Sequence, residues 1–112
     1  MYNNDEIMQF VQLIVEVTAP DRIIMFGSYA YGKPNEESDI DLLVIKNGKD
    51  FSIGDEAKLA TDVFYKRRRL GIRTRCDVFY RTDDQVRESA EKGGAFVDAL
   101  QKGKVMYERL HQ

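Results

Sequence analysis

Gly27-Ser28-Tyr29-Ala30-Tyr31-Gly32-Lys33-Pro34-Asn35-Glu36-Glu37-Ser38-Asp39-Ile40-Asp41 is the stretch around which this chain is organised. An apolar run, Ile23 to Phe26, leads into Gly27-Ser28. Ten residues separate Ser28 from Asp39, and after Asp41 a second apolar run, Leu42 to Ile45, begins. The pattern predicts two strands that meet at one acidic, glycine-started corner. Successive side chains of a strand point to opposite faces, so Asp39 and Asp41 share one face while Ile40 and Leu42 take the other. Two carboxylates side by side repel each other and need compensation, most economically from a divalent cation.

The rest of the chain supplies the frame for that corner. Ile7, Phe10, Val11 and Ile14 recur at helical spacing behind Asn3 or Asn4 as a cap, which predicts a first helix to about Val17. Thr18 to Asp21 breaks it, and Arg22 to Phe26 reads as a strand buried on both faces. Ser28 to Tyr31 is expected to make one helical turn, ended by Gly32 and Pro34. Asp39 to Ile45 is the second strand, closed by Asn47-Gly48. Gly54 to Leu70 reads as a longer helix with Ala57, Ala60, Val63 and Phe64 on its apolar face and Lys66 to Arg69 in its last turns. Thr74 to Tyr80 is the third strand, with Asp77 in its middle. Thr82 caps a helix over residues 83–92, Gly93-Gly94 separates a short helix over 95–102, and Val105 to Tyr107 forms a last strand. The expected fold class is α/β (α+β): a small mixed sheet with helices packed on one side of it.

Composition bounds what such a domain does. The 112 residues read as one domain, 1–112, able to fold without staples. Hydrophobic residues at 43% and charged residues at 32% give an ordinary globular balance, and a net charge of -2 offers no general attraction for nucleic acid or an anionic membrane. The single cysteine, Cys76, excludes an internal disulfide and a cysteine-built zinc site and reads as a buried small hydrophobe. An acidic rather than basic start and the lack of any apolar stretch near ~20 residues point to a cytoplasmic, soluble protein. The basic run from Lys66 to Arg69, continued by Arg73, Arg75 and Arg81, winds round a helix rather than forming one stripe. A solvated helix end is the expectation, with some of these cations free to face an anionic ligand or acidic partner. His111, near the end of the sequence, reads as inert.

Asp77 is expected to join Asp39 and Asp41, because consecutive strands are usually neighbours. Three carboxylates around one point can hold two Mg2+ ions, which about 3.5–4 Å apart stabilise both the attacking and leaving oxygens of an in-line displacement at phosphorus. Gly27 lets backbone approach a phosphate, and Ser28 offers a hydroxyl and an amide at the start of a turn.

Gly27-Ser28, ten residues, then Asp39-Ile40-Asp41, set between two apolar strands, resembles the signature of the nucleotidyltransferase superfamily typified by DNA polymerase β. The third acid in Thr74 to Val78 and the ending Lys102 to Glu108 resemble its minimal, stand-alone branch. The resemblance covers nearly the whole chain. It implies the nucleotidyltransferase fold and Mg2+-dependent transfer of a nucleoside monophosphate, usually AMP from ATP, to a hydroxyl. On that resemblance Asp39 and Asp41 bind both metals, Asp77 binds the catalytic metal and helps deprotonate the acceptor, and Gly27 and Ser28 hold the terminal phosphates. Members of this branch commonly pair with a helical toxin of the HEPN type and act as its antitoxin by adenylylating one of its tyrosines. A hetero-oligomer with such a toxin is therefore expected. Many relatives carry arginine where this chain has Tyr31, and Lys33 is the candidate replacement in the nucleotide-binding set. Tyr29 and Tyr31 are left open between packing, adenine stacking and modification. The alternative functions are a catalytically silent binding antitoxin, an antibiotic-type transferase and an RNA-end transferase.

Overall fold

A computed structural model describes residues 1–110; His111, read above as inert, lies outside the described residues. The element order follows the apolar pattern: α1 Asn4–Thr18, β1 Arg22–Phe26, α2 Ser28–Tyr31, β2 Ile40–Ile45, α3 Ile53–Arg69, β3 Cys76–Arg81, α4 Asp83–Glu91, α5 Val97–Lys102 and β4 Lys104–Glu108. The strands form one mixed sheet in the order β3-β2-β1-β4. β1 is antiparallel to both β2 and β4, whereas β2 and β3 run parallel with α3 as their crossover. That connection is the long one a parallel pair requires. Three helices start on capping boxes in which side chain and backbone satisfy each other: Asn3 with Glu6, Ser52 with Asp55, Thr82 with Gln85.

Helices cover both faces of the sheet, not one. Ile23, Met25, Leu42 and Val44 pack against α1 and α3 through Phe10, Ile14 and Val63. Ile24, Leu43 and Ile45 pack on the opposite side against Val86 of α4 and Ala99 of α5, with Phe96 between those helices. The reason lies in the sequence of β1 and β2: Ile23, Ile24, Leu42, Leu43, Val44 and Ile45 are at most 4% exposed, so both sides need a cover. α3 departs from expectation in a second way. Its sheet-facing side is Val63 with Leu59, while Ala57, Ala60 and Phe64 face outward. A 17-residue amphipathic helix carries two apolar stripes here, and only one of them lies against the sheet.

Candidate nucleotide site

Residue pairing in the sheet assembles the acids. In the parallel register of β2 and β3, Ile40 faces Cys76 and Asp41 faces Asp77. Their side chains therefore leave the same face of the sheet, the one that also carries Leu43, Phe79 and the α4 and α5 helices. Asp41 also sits opposite Phe26, the last residue of β1, immediately before Gly27. Asp39 precedes β2 by one residue, a shift of one from the expected strand start. The acids thus gather where β1 ends and where β2 and β3 begin, at the end of the sheet away from Ile45 and Arg81.

Gly27 is required there for two reasons. Its φ of 74° is open to glycine at little cost, and a Cβ added to it would collide with Asp41 Oδ2. Backbone and carboxylate are in contact at the mouth of the corner. From Gly27 the chain turns directly into α2, whose N-terminus no side chain caps. Ser28 stands at its first position, half-buried, with the Ala30 and Tyr31 amides bonded back to the Gly27 carbonyl.

The electrostatics are those of an acidic cluster with the Arg75 guanidinium at its side. The Asp41 carboxyl is raised above its ordinary pKa by burial first, then by the charges of Asp77 and Asp39. Asp39 Oδ1 is buried and accepts no hydrogen bond; Arg75 Nε stands 3.5 Å away, within ion-pair reach but outside hydrogen-bonding geometry. Asp77 is exposed on edge strand β3. As placed, no three Asp, Glu, His or Cys side chains among the described residues converge closely enough to cage a metal ion. Mg2+ does not ask for a protein cage: it is usually held by one or two carboxylates with substrate phosphates and water completing the octahedron. The in-register pair Asp41 and Asp77, with the orphaned oxygen of Asp39 beside it, fits that demand in donor type and charge.

Other residues read from the sequence fall into place differently. Lys33 is exposed in the loop after Gly32. Tyr29 is a packing residue whose hydroxyl accepts the Tyr2 amide at 3.0 Å, with the two rings 6.2 Å apart. Tyr31 is partly exposed, and its ring is approached by Lys102 Nζ at 6.0 Å from the centroid. Arg75, one of the basic run left free to face an anionic ligand or acidic partner, stands against Asp39, and Lys102, which the sequence pattern does not single out, stands beside Tyr31; both contacts span long sequence separations. Arg67 is spent on the Thr74 and Arg73 carbonyls, and Lys66 pairs with Glu16 at 3.2 Å. Cys76 lies beside the acids but is held protonated, its thiol pushed up to about 12 chiefly by burial.

Comparison with known proteins agrees with this geometry. The profile of the family described as nucleotidyltransferase domain matches residues 6–106. No curated protein matches the sequence. A crystal structure from Sulfolobus solfataricus, provisionally described as a nucleotidyltransferase, is 17% identical with a TM-score of 0.62 and aligns over 94% of this chain and 79% of its own. A toxin-antitoxin crystallised with AMP-PNP is 19% identical with a TM-score of 0.54, over 96% and 75%. A point variant of the toxin-antitoxin MntA-HpeT is 17% identical with a TM-score of 0.51, over 97% and 75%. These structures share the fold.

Proposed function

The chain belongs to the nucleotidyltransferase domain family, and from that premise we propose that it transfers AMP from ATP to a tyrosine hydroxyl of a HEPN-type toxin, with which it forms a cytoplasmic hetero-oligomer as antitoxin. The single observation that carries the chemistry is the register that sets Asp41 against Asp77 beside the contact between Gly27 and Asp41. The toxin as partner rests on the likeness in fold to the two toxin-antitoxin structures, and ATP on the AMP-PNP in one of them. The reading treats residues 1–112 as one catalytic domain.

Asp39, Asp41 and Asp77 are the residues to hold two Mg2+ ions, which when bound supply charge neutralisation at the transferred phosphoryl group. Asp77, exposed at the sheet edge, accepts the proton of the incoming hydroxyl. Gly27 brings backbone to the terminal phosphates and Ser28 donates its amide and hydroxyl to them. Lys33, from the exposed loop, and Lys102, beside Tyr31, are the cations to neutralise the pyrophosphate that leaves. Arg75 holds Asp39 in place until the nucleotide arrives.

The test is the intact mass of the toxin co-expressed with wild type and with Asp39→Asn. A gain of one or more AMP units with wild type alone supports the reading. An unmodified toxin that both forms still neutralise sinks it in favour of silent binding.

A further inference from the structure

Tyr2 reaches two sides of the candidate nucleotide site at once. Its amide donates to the Tyr29 hydroxyl at 3.0 Å, and its own hydroxyl accepts the Arg75 amide at 3.1 Å, across 27 and 73 residues of sequence. The Arg75 carbonyl in turn accepts the amide of Ile40, the residue between Asp39 and Asp41, at 3.3 Å. Three bonds thus run from the residue after Ser28 to the backbone that carries the acids. The Tyr2 ring is half-buried and packs with that of Tyr29 against the core, so both polar groups start from a fixed base.

Packing alone does not set the spacing between those two sides. α2 is four residues long, none of them is buried, and no side chain caps its start. Among the described residues, the Tyr29 hydroxyl makes the one side-chain hydrogen bond by which α2 is held. Arg75 precedes β3, which begins at Cys76, and its amide bonds to Tyr2 rather than to a neighbouring strand. An α2 free to shift would carry Ser28 away from its place opposite Asp39 and Asp41, and a misplacement of about 1 Å between groups that act together can cost ~100-fold in rate. Without its hydroxyl the Tyr2 ring would pack as before, but the tie to Arg75 would not form.

We infer that Tyr2 is a positioning residue of the nucleotide site: its amide and hydroxyl strap α2, which carries Ser28, to Arg75, whose carbonyl holds the backbone between Asp39 and Asp41. The inference rests on the reading of Gly27, Ser28 and the three acids as a nucleotide site. Tyr2 touches neither nucleotide nor metal and acts through Tyr29 and Arg75.

Calorimetric titration of the full chain with Mg2+ and AMP-PNP tests it, alongside melting temperatures without ligand. Tyr2→Phe is expected to bind about 3–10-fold more weakly than wild type, the effect of one lost hydrogen bond. A strap is broken by cutting either end, so Tyr2→Phe combined with Tyr29→Phe is expected to bind no more weakly than the weaker single variant. Leu13→Ala, which empties a buried position of α1 away from the strap, is expected to melt at lower temperature than Tyr2→Phe and to keep wild-type affinity. A wild type that does not bind Mg2+ and AMP-PNP overturns the nucleotide reading and this inference with it. A wild type that binds while Tyr2→Phe binds equally well overturns the inference alone. So do losses that add in the double variant, and an affinity that falls with melting temperature in Leu13→Ala as it does in Tyr2→Phe.

Discussion

At Asp41 burial is the first reason the carboxyl resists ionising, and the charges of Asp77 and Asp39 add to it. The folded chain therefore keeps that proton to a higher pH than the unfolded chain. Between the ordinary carboxylate pKa, about 3.9, and the raised value, folding takes up a proton, and stability falls as pH rises through that window. Asp41→Asn removes the penalty. Its melting temperature in metal-free buffer is expected to exceed that of wild type near neutral pH, with the gap closing below about pH 4, as scanning calorimetry across pH would show. On the proposed mechanism, nucleotidyl transfer by the same variant is expected to fall by ~100-fold or more, since the charge stabilisation at phosphorus assigned there to an Asp41-held metal would be lost. Tyr80 offers the opposite case. Its hydroxyl is buried without a hydrogen-bond partner, so Tyr80→Phe is expected to leave stability unchanged or raise it by up to about 1 kcal/mol in urea denaturation.

Among the elements, the start of α4 is tied down most densely. Asp83 binds Arg22 at 2.9 Å and the Asn47 side-chain amide at 2.7 Å, while its own amide donates to Asn47 Oδ1 at 2.8 Å. Burial alone would raise the Asp83 pKa, but Asn47 and Arg22 outweigh it and hold the carboxyl below its ordinary value. Asn47→Ala breaks both sides of this bracket, with an expected cost of about 1–3 kcal/mol and faster amide exchange over residues 47–51. The elements were also where sequence reading divided most clearly. Thr82 was legible as a cap and Asn3 as one of two candidates, Asn4 being the other, because residue type and position agree, and β1 and α2 carry the expected bounds because Pro20, Gly27 and Gly32 punctuate them. α3 was legible as a helix but not in its orientation. Periodicity reports that a face is apolar; it does not report whether the same chain or another one covers it, and α3 has two such stripes.

For the molecule as a whole, the doubly covered sheet fixes the cost of disturbing the face under the acids. Leu43 is fully buried there between β1, β3 and the α4 and α5 cover, so Leu43→Ala is expected to cost about 2–5 kcal/mol in chemical denaturation. Binding acts in the other direction: Mg2+ with a non-hydrolysable ATP analogue at 100 times its dissociation constant is expected to stabilise wild type by about 2.7 kcal/mol, and chelation to reverse this, with little effect on Asp41→Asn. At this scale the sequence disclosed the mixed sheet and the meeting of Asp41 with Asp77, because neighbouring strands in sequence pair in space. It did not disclose Arg75 beside Asp39 or Lys102 beside Tyr31, contacts that depend on how loops and α5 close over the sheet end. The position of β4 has a consequence for synthesis. β1 pairs on one side with β2, which follows closely, and on the other with Lys104 to Glu108. At about 5–20 residues per second, the interval between emergence of β2 and of β4 is roughly 3–12 s. Through that time the outer edge of β1 is an unpaired template, so a nascent chain stalled before β4 should be the form that chaperones and proteases select.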